Sequence, residues 1–293
     1  MRRGLGLGAL GLAALAAAAF FVTGATPIDD SPLAGRASDP AKGETIFIAS
    51  GCASCHAAPD AKDDAKLILA GGQRFESDFG TFIAPNISPH PDAGIGSWTL
   101  GEFASAVKKG VSPEGQHYYP AFPYGSYLHM DDQDVVDLWA YWQTLPADAT
   151  PSQPHEVGFP FNIRRSVGVW KLLYLDDTWV VQTADTPELE RGRYLVEALA
   201  HCGECHTPRD ALGGMNRANW LGGAPNPTGR GTIPSLRPAD LTWEPTEIAY
   251  YLETGFTPDF DSAGGHMVAV IENFAKLPAS DRQAVAAYLK ALP

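Results

Sequence analysis

The side chains with the most chemistry in them fall in two short runs, Cys52-Ala-Ser-Cys55-His56 and Cys202-Gly-Glu-Cys205-His206. These runs hold all four cysteines of the chain. On one turn of helix, positions i, i+3 and i+4 share a face. Two thiols and an imidazole at that spacing can meet one flat macrocycle, with the sulfurs bonded to its two vinyl groups and the imidazole beneath its iron. Cys-x-x-Cys-His is the attachment signature of c-type haem, and imidazole is a common proximal ligand of haem iron. The pattern therefore predicts two covalently bound haem c groups, with Cys52, Cys55, Cys202 and Cys205 as attachment points and His56 and His206 as proximal ligands.

Other uses of these residues fit less well. A disulfide framework belongs to small secreted domains, whereas this chain has 293 residues and confines its cysteines to the two motifs. Structural zinc draws four ligands from nearby segments, and the motifs lie 150 residues apart. A dithiol redox pair requires neither the following histidine nor a second copy.

Each motif needs a fold to hold it, and the chain writes that fold twice. Ala70-Gly71-Gly72 has a counterpart in Leu221-Gly222-Gly223, and Ala84-Pro85-Asn86-Ile87-Ser88-Pro89 in Ile233-Pro234-Ser235-Leu236-Arg237-Pro238. Trp98 to Gly110 matches Trp243 to Gly255 with the same spacing of Trp, Glu and Gly. Ala140-Tyr141-Trp142-Gln143-Thr144-Leu145-Pro146 matches Ala287-Tyr288-Leu289-Lys290-Ala291-Leu292-Pro293. The fold class read from this is mainly α: two tandem helical lobes, residues 38–146 and 187–293, each built of short helices and Gly/Pro loops.

Helices are expected over 40–50 and 187–200, running into the motifs, over Trp98–Lys109 and Trp243–Thr254, stopped by Gly110 and Gly255, and over Asp131–Leu145 and Ser280–Leu292. In Asp131–Leu145 the residues Val135, Leu138, Trp139, Trp142 and Leu145 form one apolar face. Between the lobes, residues 147–186 begin rich in proline and turn aromatic and apolar from Phe159 to Val181. A flexible linker lacks such residues, so this segment reads as an ordered strap packed across both lobes.

The first 25 residues read as an export signal: Arg2 and Arg3, an uncharged run from Leu5 to Val22, then small residues at Thr23-Gly24-Ala25. The same run is about long enough to span a bilayer, so an uncleaved N-terminal anchor is the competing reading. Either one puts the body of the protein outside the cytoplasm, in the periplasm and, if tethered, at the inner membrane. The formal charge of −13 excludes nucleic acid as a partner, because that needs a basic footprint.

Cys-x-x-Cys-His near the start of a helical lobe, with a closing helix that ends Ala-Tyr-Leu, resembles class I cytochrome c. In the first lobe, Gly80-Thr81-Phe82-Ile83-Ala84-Pro85-Asn86-Ile87, Tyr119-Pro120-Ala121-Phe122-Pro123-Tyr124 and Asp134–Tyr141 resemble the multi-haem cytochrome subunits of periplasmic alcohol, aldehyde and sugar-acid dehydrogenases. Cys205-His206-Thr207-Pro208-Arg209 is similar to the same group in the second lobe. The resemblance runs from about residue 40 to 293. It departs from the commonest subunits in having two haem motifs where many have three.

The resemblance implies a methionine on the far side of each iron, from the loop before the closing helix. Met267 occupies such a loop in lobe 2, with His266 as a lesser rival. Met130 is the methionine available to lobe 1, with His117 and His129 as rivals. Met215 reads as a packing residue. Met/His ligation closes both axial positions and raises the potential, so the implied function is electron transfer from a dehydrogenase to a respiratory carrier or oxidase. The alternative is a di-haem peroxidase, which needs one open axial position. A thiosulfate-oxidising enzyme with a cysteine distal ligand would need a fifth cysteine. Trp98 and Trp243 are equally readable as propionate neighbours or core residues, while Arg74, Arg209 and Arg230 are propionate partners by charge alone. His90, His155 and His201 read as surface or packing residues, and Asp131 and Asp132 as solvated residues at a helix start.

Overall fold

The computed structural model describes residue 14 and residues 17–227 and 231–293. In lobe 1, α1 (Pro40–Ala49) begins at Asp39, whose carboxylate accepts from the Ala41 and Lys42 amides. It runs through Gly51, at φ +64°, directly into the short α2 (Cys52–His56). An antiparallel hairpin follows, β1 (Arg74–Ser77) with β2 (Gly80–Ile83). Then come α3 (Leu100–Lys109), α4 (Tyr124–Tyr127) and the closing helix α5 (Asp132–Trp142). α3 starts two residues later than expected because Thr99 and Glu102 form a reciprocal capping box. Gly110, at φ +58°, ends it.

α1 and α5 cross at Gly43. A Cβ placed there would lie 1.9 Å from the Asp137 carbonyl oxygen and 2.8 Å from Tyr141 Cβ. Only glycine permits this approach. Around the crossing, Ile46, Phe47, Phe103, Val135, Leu138 and Trp142 are buried. The Phe47 and Phe103 rings meet Trp142 at 5.6 and 5.5 Å, within the range of favourable aromatic pairs.

Lobe 2 repeats the plan with α7 (Pro187–Arg193), α8 (Gly203–His206), the small pair β3 (Ala224–Pro225) and β4 (Thr232–Ile233), α9 (Pro245–Thr254), α10 (Met267–Phe274) and α11 (Ala279–Lys290); α6 (Ser166–Tyr174) lies in the strap described below. Gly192 is the counterpart of Gly43: a Cβ there would be 2.1 Å from the Ala284 oxygen and 2.7 Å from Tyr288 Cβ. The lobes differ in one count. Gly43 precedes Cys52 by nine positions, and Gly192 precedes Cys202 by ten. A π-helical turn over Tyr194–Leu199 takes up the extra residue, with the Ala200 amide donating to the Leu195 oxygen at 2.7 Å. The haem turn thus keeps its place relative to the helix crossing.

Residues 147–186 contain α6 (Ser166–Tyr174) and touch both lobes. The Asn86 side-chain amide donates to the Asp148 and Thr150 oxygens at 2.9 and 2.8 Å, and Glu156 bridges to Thr81. On the other side, the Trp170 indole donates to the Leu212 oxygen and the Tyr174 hydroxyl to Asp210. Buried Glu197, in the π-turn, accepts from the Val180 and Val181 amides at 2.6 and 3.1 Å and from the Tyr288 hydroxyl at 2.7 Å. The Trp220 indole donates to that same hydroxyl at 3.0 Å.

The uncharged run Leu5–Val22 lies mostly outside the described residues. Residues 17–22 are helical, with Phe20, Phe21 and Val22 exposed. Among the described residues no helix is long and apolar enough to cross a membrane.

Candidate functional site

Each Cys-x-x-Cys-His run forms a short helix, α2 or α8, directly after the first helix of its lobe. His56 Nδ1 lies 2.9 Å from the Pro85 carbonyl oxygen, and His206 Nδ1 lies 2.8 Å from that of Pro234. A carbonyl oxygen only accepts, so Nδ1 carries the proton in both rings and Nε2 keeps its lone pair. This is how a metal-ligating imidazole is usually oriented, through its second nitrogen. The two prolines belong to the repeated Ala84-Pro85 and Ile233-Pro234 segments. Their role as imidazole acceptors was not legible in the sequence, although the repeat marked them.

The backbone closes behind the rings. The Gly71 amide donates to the His56 oxygen at 2.7 Å, and the Gly223 amide to the His206 oxygen at 2.8 Å. At Gly71, φ is +75° and a Cβ would sit 2.5 Å from the Ala84 oxygen. Surrounding protein pushes the His56 imidazole down to about 4 and lowers that of His206 as well. Both rings are neutral at physiological pH, as an iron ligand must be.

None of the four cysteines is in a disulfide. Burial pushes Cys52 and Cys202 up to about 12, and it raises Cys205 too. Cys55 is pushed up to about 11, by burial and then by the neighbouring Cys205. Such an environment disfavours thiolate and suits an uncharged thioether sulfur. Among the described residues, no three His, Cys, Asp or Glu side chains come together as a metal-binding group. The residues present fit a covalently attached haem in each lobe.

The methionines do not occupy matching places. Met130 is buried just before α5, with its amide donating to the Tyr127 oxygen at 2.9 Å. Its lobe 2 counterpart by position is buried Leu277, whose amide donates to Phe274 at 3.1 Å. Met267 instead opens α10 and is half-buried. The rival histidines of lobe 1 have other contacts. His117 Nε2 donates to the Thr23 oxygen at 3.0 Å, and His129 stacks on Trp179 at 4.3 Å. His266 is exposed, and Met215 packs at the edge of the core.

Trp98 and Trp243 both pack against the core while half-buried. Arg74 is paired with Glu156 and Arg209 with Glu204, so each of these cations already has a carboxylate. Arg230 lies outside the described residues. Asp132 pairs with Lys108 at 2.8 Å.

The two haem turns face each other. The Tyr127 hydroxyl donates to the Ser50 oxygen at 2.8 Å, and the Tyr127 ring stands edge-on to His201 at 5.6 Å. His201, at φ +42°, takes the place that Gly51 has before the first motif. Asn273 donates to Ser54 Oγ at 3.1 Å. The Tyr194 hydroxyl donates to Asp134 at 2.5 Å while accepting from the Asp131 amide at 3.1 Å, so lobe 2 caps the closing helix of lobe 1.

A family model described as Cytochrome c matches residues 40–146, which is lobe 1. Over its whole length of 293 residues the chain is 53% identical to a dihaem cytochrome c-type protein of Cereibacter sphaeroides, covering 99% of that protein. The chain belongs to the dihaem cytochrome c family. It carries two covalently bound haem c groups and transfers electrons. It is also 35% identical over 277 residues to the fructose dehydrogenase cytochrome subunit of Gluconobacter japonicus, and 32% identical over 265 residues to the gluconate 2-dehydrogenase cytochrome c subunit of Pantoea cypripedii. These matches cover 92% and 86% of this chain but only 56% and 59% of those longer proteins.

Proposed function

We propose that this dihaem cytochrome accepts electrons from a dehydrogenase and hands them to a downstream respiratory carrier or oxidase in the periplasm. The dehydrogenase partner is supported by the relatives that are dehydrogenase cytochrome subunits. The location is supported by the uncharged run behind Arg2 and Arg3, which acts as an export signal or as a tether to the inner membrane. In this reading Cys52 and Cys55 hold the first haem and Cys202 and Cys205 the second, with His56 and His206 as proximal ligands. Met130 and Met267 are the distal ligands.

The observation that carries the reading is the pair of imidazoles fixed by the Pro85 and Pro234 carbonyls, each presenting Nε2. One-electron chemistry is supplied by the haem iron when bound. The chain's own part is to fix the rings, keep them neutral and hold the two lobes in contact. Redox encounters are small and short-lived, so contacts with mobile carriers should be weak.

The test is a pyridine haemochrome assay together with the oxidised spectrum. Two haems per chain and a sulfur-to-iron charge-transfer band, lost in part in Met130→Leu and in part in Met267→Leu, bear the reading out. High-spin iron that binds added cyanide or peroxide in the untouched protein overturns it for that lobe.

A further inference from the structure

The internal repeat allows each surface of one lobe to be compared with its counterpart on the other. The turn after α3 and the turn after α9 are built alike. The Tyr118 amide donates to the Gly110 oxygen, and the Ala263 amide to the Gly255 oxygen, each at 2.8 Å. Val111 bridges to His117, and Phe256 bridges to Ser262. The Gln116 amide donates to Ser112 Oγ, and the Asp261 amide to Thr257 Oγ1. Position for position, Ser105, Val111 and Gly115 correspond to Tyr250, Phe256 and Phe260.

In lobe 1 the chain itself covers Ser105 and Val111, while Gly115 stays exposed. The Ile28 amide donates to Ser105 Oγ at 3.2 Å. α6 lies over the turn, with Gly168 against His117 and Thr23. Lys171 donates to the Gly110 oxygen at 2.9 Å and to that of Lys109, and its ammonium sits 4.5 Å over the Tyr124 ring. Ser105 and Val111 are accordingly 4% and 1% exposed.

In lobe 2 no described residue covers the matching surface, which is more apolar. Tyr250 is 55% exposed, Phe256 54% and Phe260 97%, with exposed Val268 beside Met267. Tyr250, Phe256, Pro258 and Phe260 line an open cleft of about 550 Å³ with Glu247 on its wall. Phe260 holds φ +63° at the place where lobe 1 has Gly115 at +72°. A bulky side chain disfavours that region, and a strained backbone of this kind is a pointer to function. Two further features say what the occupant is. α3 has Lys108, Lys109 and the incoming Lys171 at its C-terminal end, whereas α9 has no basic residue in its last turn. A helix C-terminus favours a cation. Glu247 puts negative charge on the cleft wall, and the acidic Asp259 and Asp261 flank Phe260 in the sequence.

We propose that lobe 2 docks an amphipathic, cationic helix of a partner protein across Tyr250, Phe256, Phe260 and Val268, in the manner of α6 on lobe 1. The docked helix sets a small residue against the turn and a lysine or arginine at the end of α9. It lies next to the start of α10, where Met267 sits, so the docked partner stands beside the second haem site. That last clause rests on the function proposed above; the docking itself does not.

The probe is a labelled peptide of residues 163–175 of this chain, titrated into the haem-loaded protein by fluorescence anisotropy. Saturable binding is expected, weakened at least tenfold in the double variant Tyr250→Ser, Phe260→Gly. That variant installs the residues lobe 1 carries at the same places, so its fold is preserved; two haems per chain and an unchanged melting curve check this. A peptide with the same composition in scrambled order should bind at least tenfold more weakly. Absence of saturable binding, or equal binding to the double variant, overturns the proposal. So does concentration-dependent dimerisation, or binding to anionic vesicles, that the double variant abolishes, since the occupant would then be a second copy or a lipid surface. The haemochrome count decides the electron-transfer reading separately.

Discussion

Replacing Gly43 by alanine tests whether the helix crossing sets the haem turn. The new Cβ would meet the Asp137 carbonyl oxygen at 1.9 Å, so one helix must retreat by about 1.5 Å to reach ordinary contact. Neither partner can turn aside, because Gly43 and Asp137 are both inside helices. Overpacking of this kind costs about 1–3 kcal/mol, and a backbone-on-backbone clash belongs at the upper end. Alanine in a helix recovers about 1 kcal/mol over glycine. The net expectation is a loss of about 2 kcal/mol. Because α1 passes straight into α2, the retreat also moves Cys52 and His56 away from Pro85. Guanidinium denaturation followed by haem absorbance should show an earlier transition, and haem attachment to lobe 1 should fall. Gly192→Ala should do the same in lobe 2. If Gly43→Ala is as stable as the parent, or more stable by about 1 kcal/mol, propensity outweighs the crossing and the reasoning fails.

Glu197→Ala strands the buried Tyr288 hydroxyl, at about 1–3 kcal/mol, and frees the half-buried Val180 and Val181 amides, which water can partly satisfy; a loss of about 2–3 kcal/mol in urea unfolding is expected, and a loss under about 1 would show the network idle. Tyr127→Phe removes the bond to the Ser50 oxygen and should cost about 1 kcal/mol, read as a shifted melting midpoint with both haems retained. His155 is depressed below its ordinary value by burial and by Arg164, and its neutral Nδ1 accepts from the Ile83 amide at 3.1 Å. A lowered histidine contributes stability that is present above the unfolded value of about 6.5 and lost as pH falls through it toward the folded one. His155→Gln should therefore flatten the fall in stability below about pH 6.5, and an unchanged pH profile would count against the bond.

The two haem c groups and the mainly helical fold were legible because the motif spacing is dictated by the macrocycle and the helix period, and because the chain repeats itself. Gly110 and Gly255 stop their helices as their sequence positions imply. Contacts made by backbone oxygens carried no side-chain signal. Pro85 and Pro234 stand out in the repeat, yet nothing in a proline says that its carbonyl holds an imidazole. Met130 and Met267 illustrate the same limit. Counting back from each closing helix suggests one role, while the loop before lobe 2's helix is two residues longer and forms α10. His201 reads as a surface or packing residue, and its place between the haem turns depends on how the lobes meet.

The π-turn of lobe 2 does more than absorb a residue. Glu197 lies within it, and Glu197 is what moors the end of the strap. A one-residue deletion there would give lobe 2 an uninterrupted entry helix like that of lobe 1, but it would swing this carboxylate away from Val180 and Val181. The irregular turn is thus the belay point for the end of the strap on lobe 2, while the bonds from Tyr194 to Asp134 and from Tyr127 to Ser50 still join the two halves.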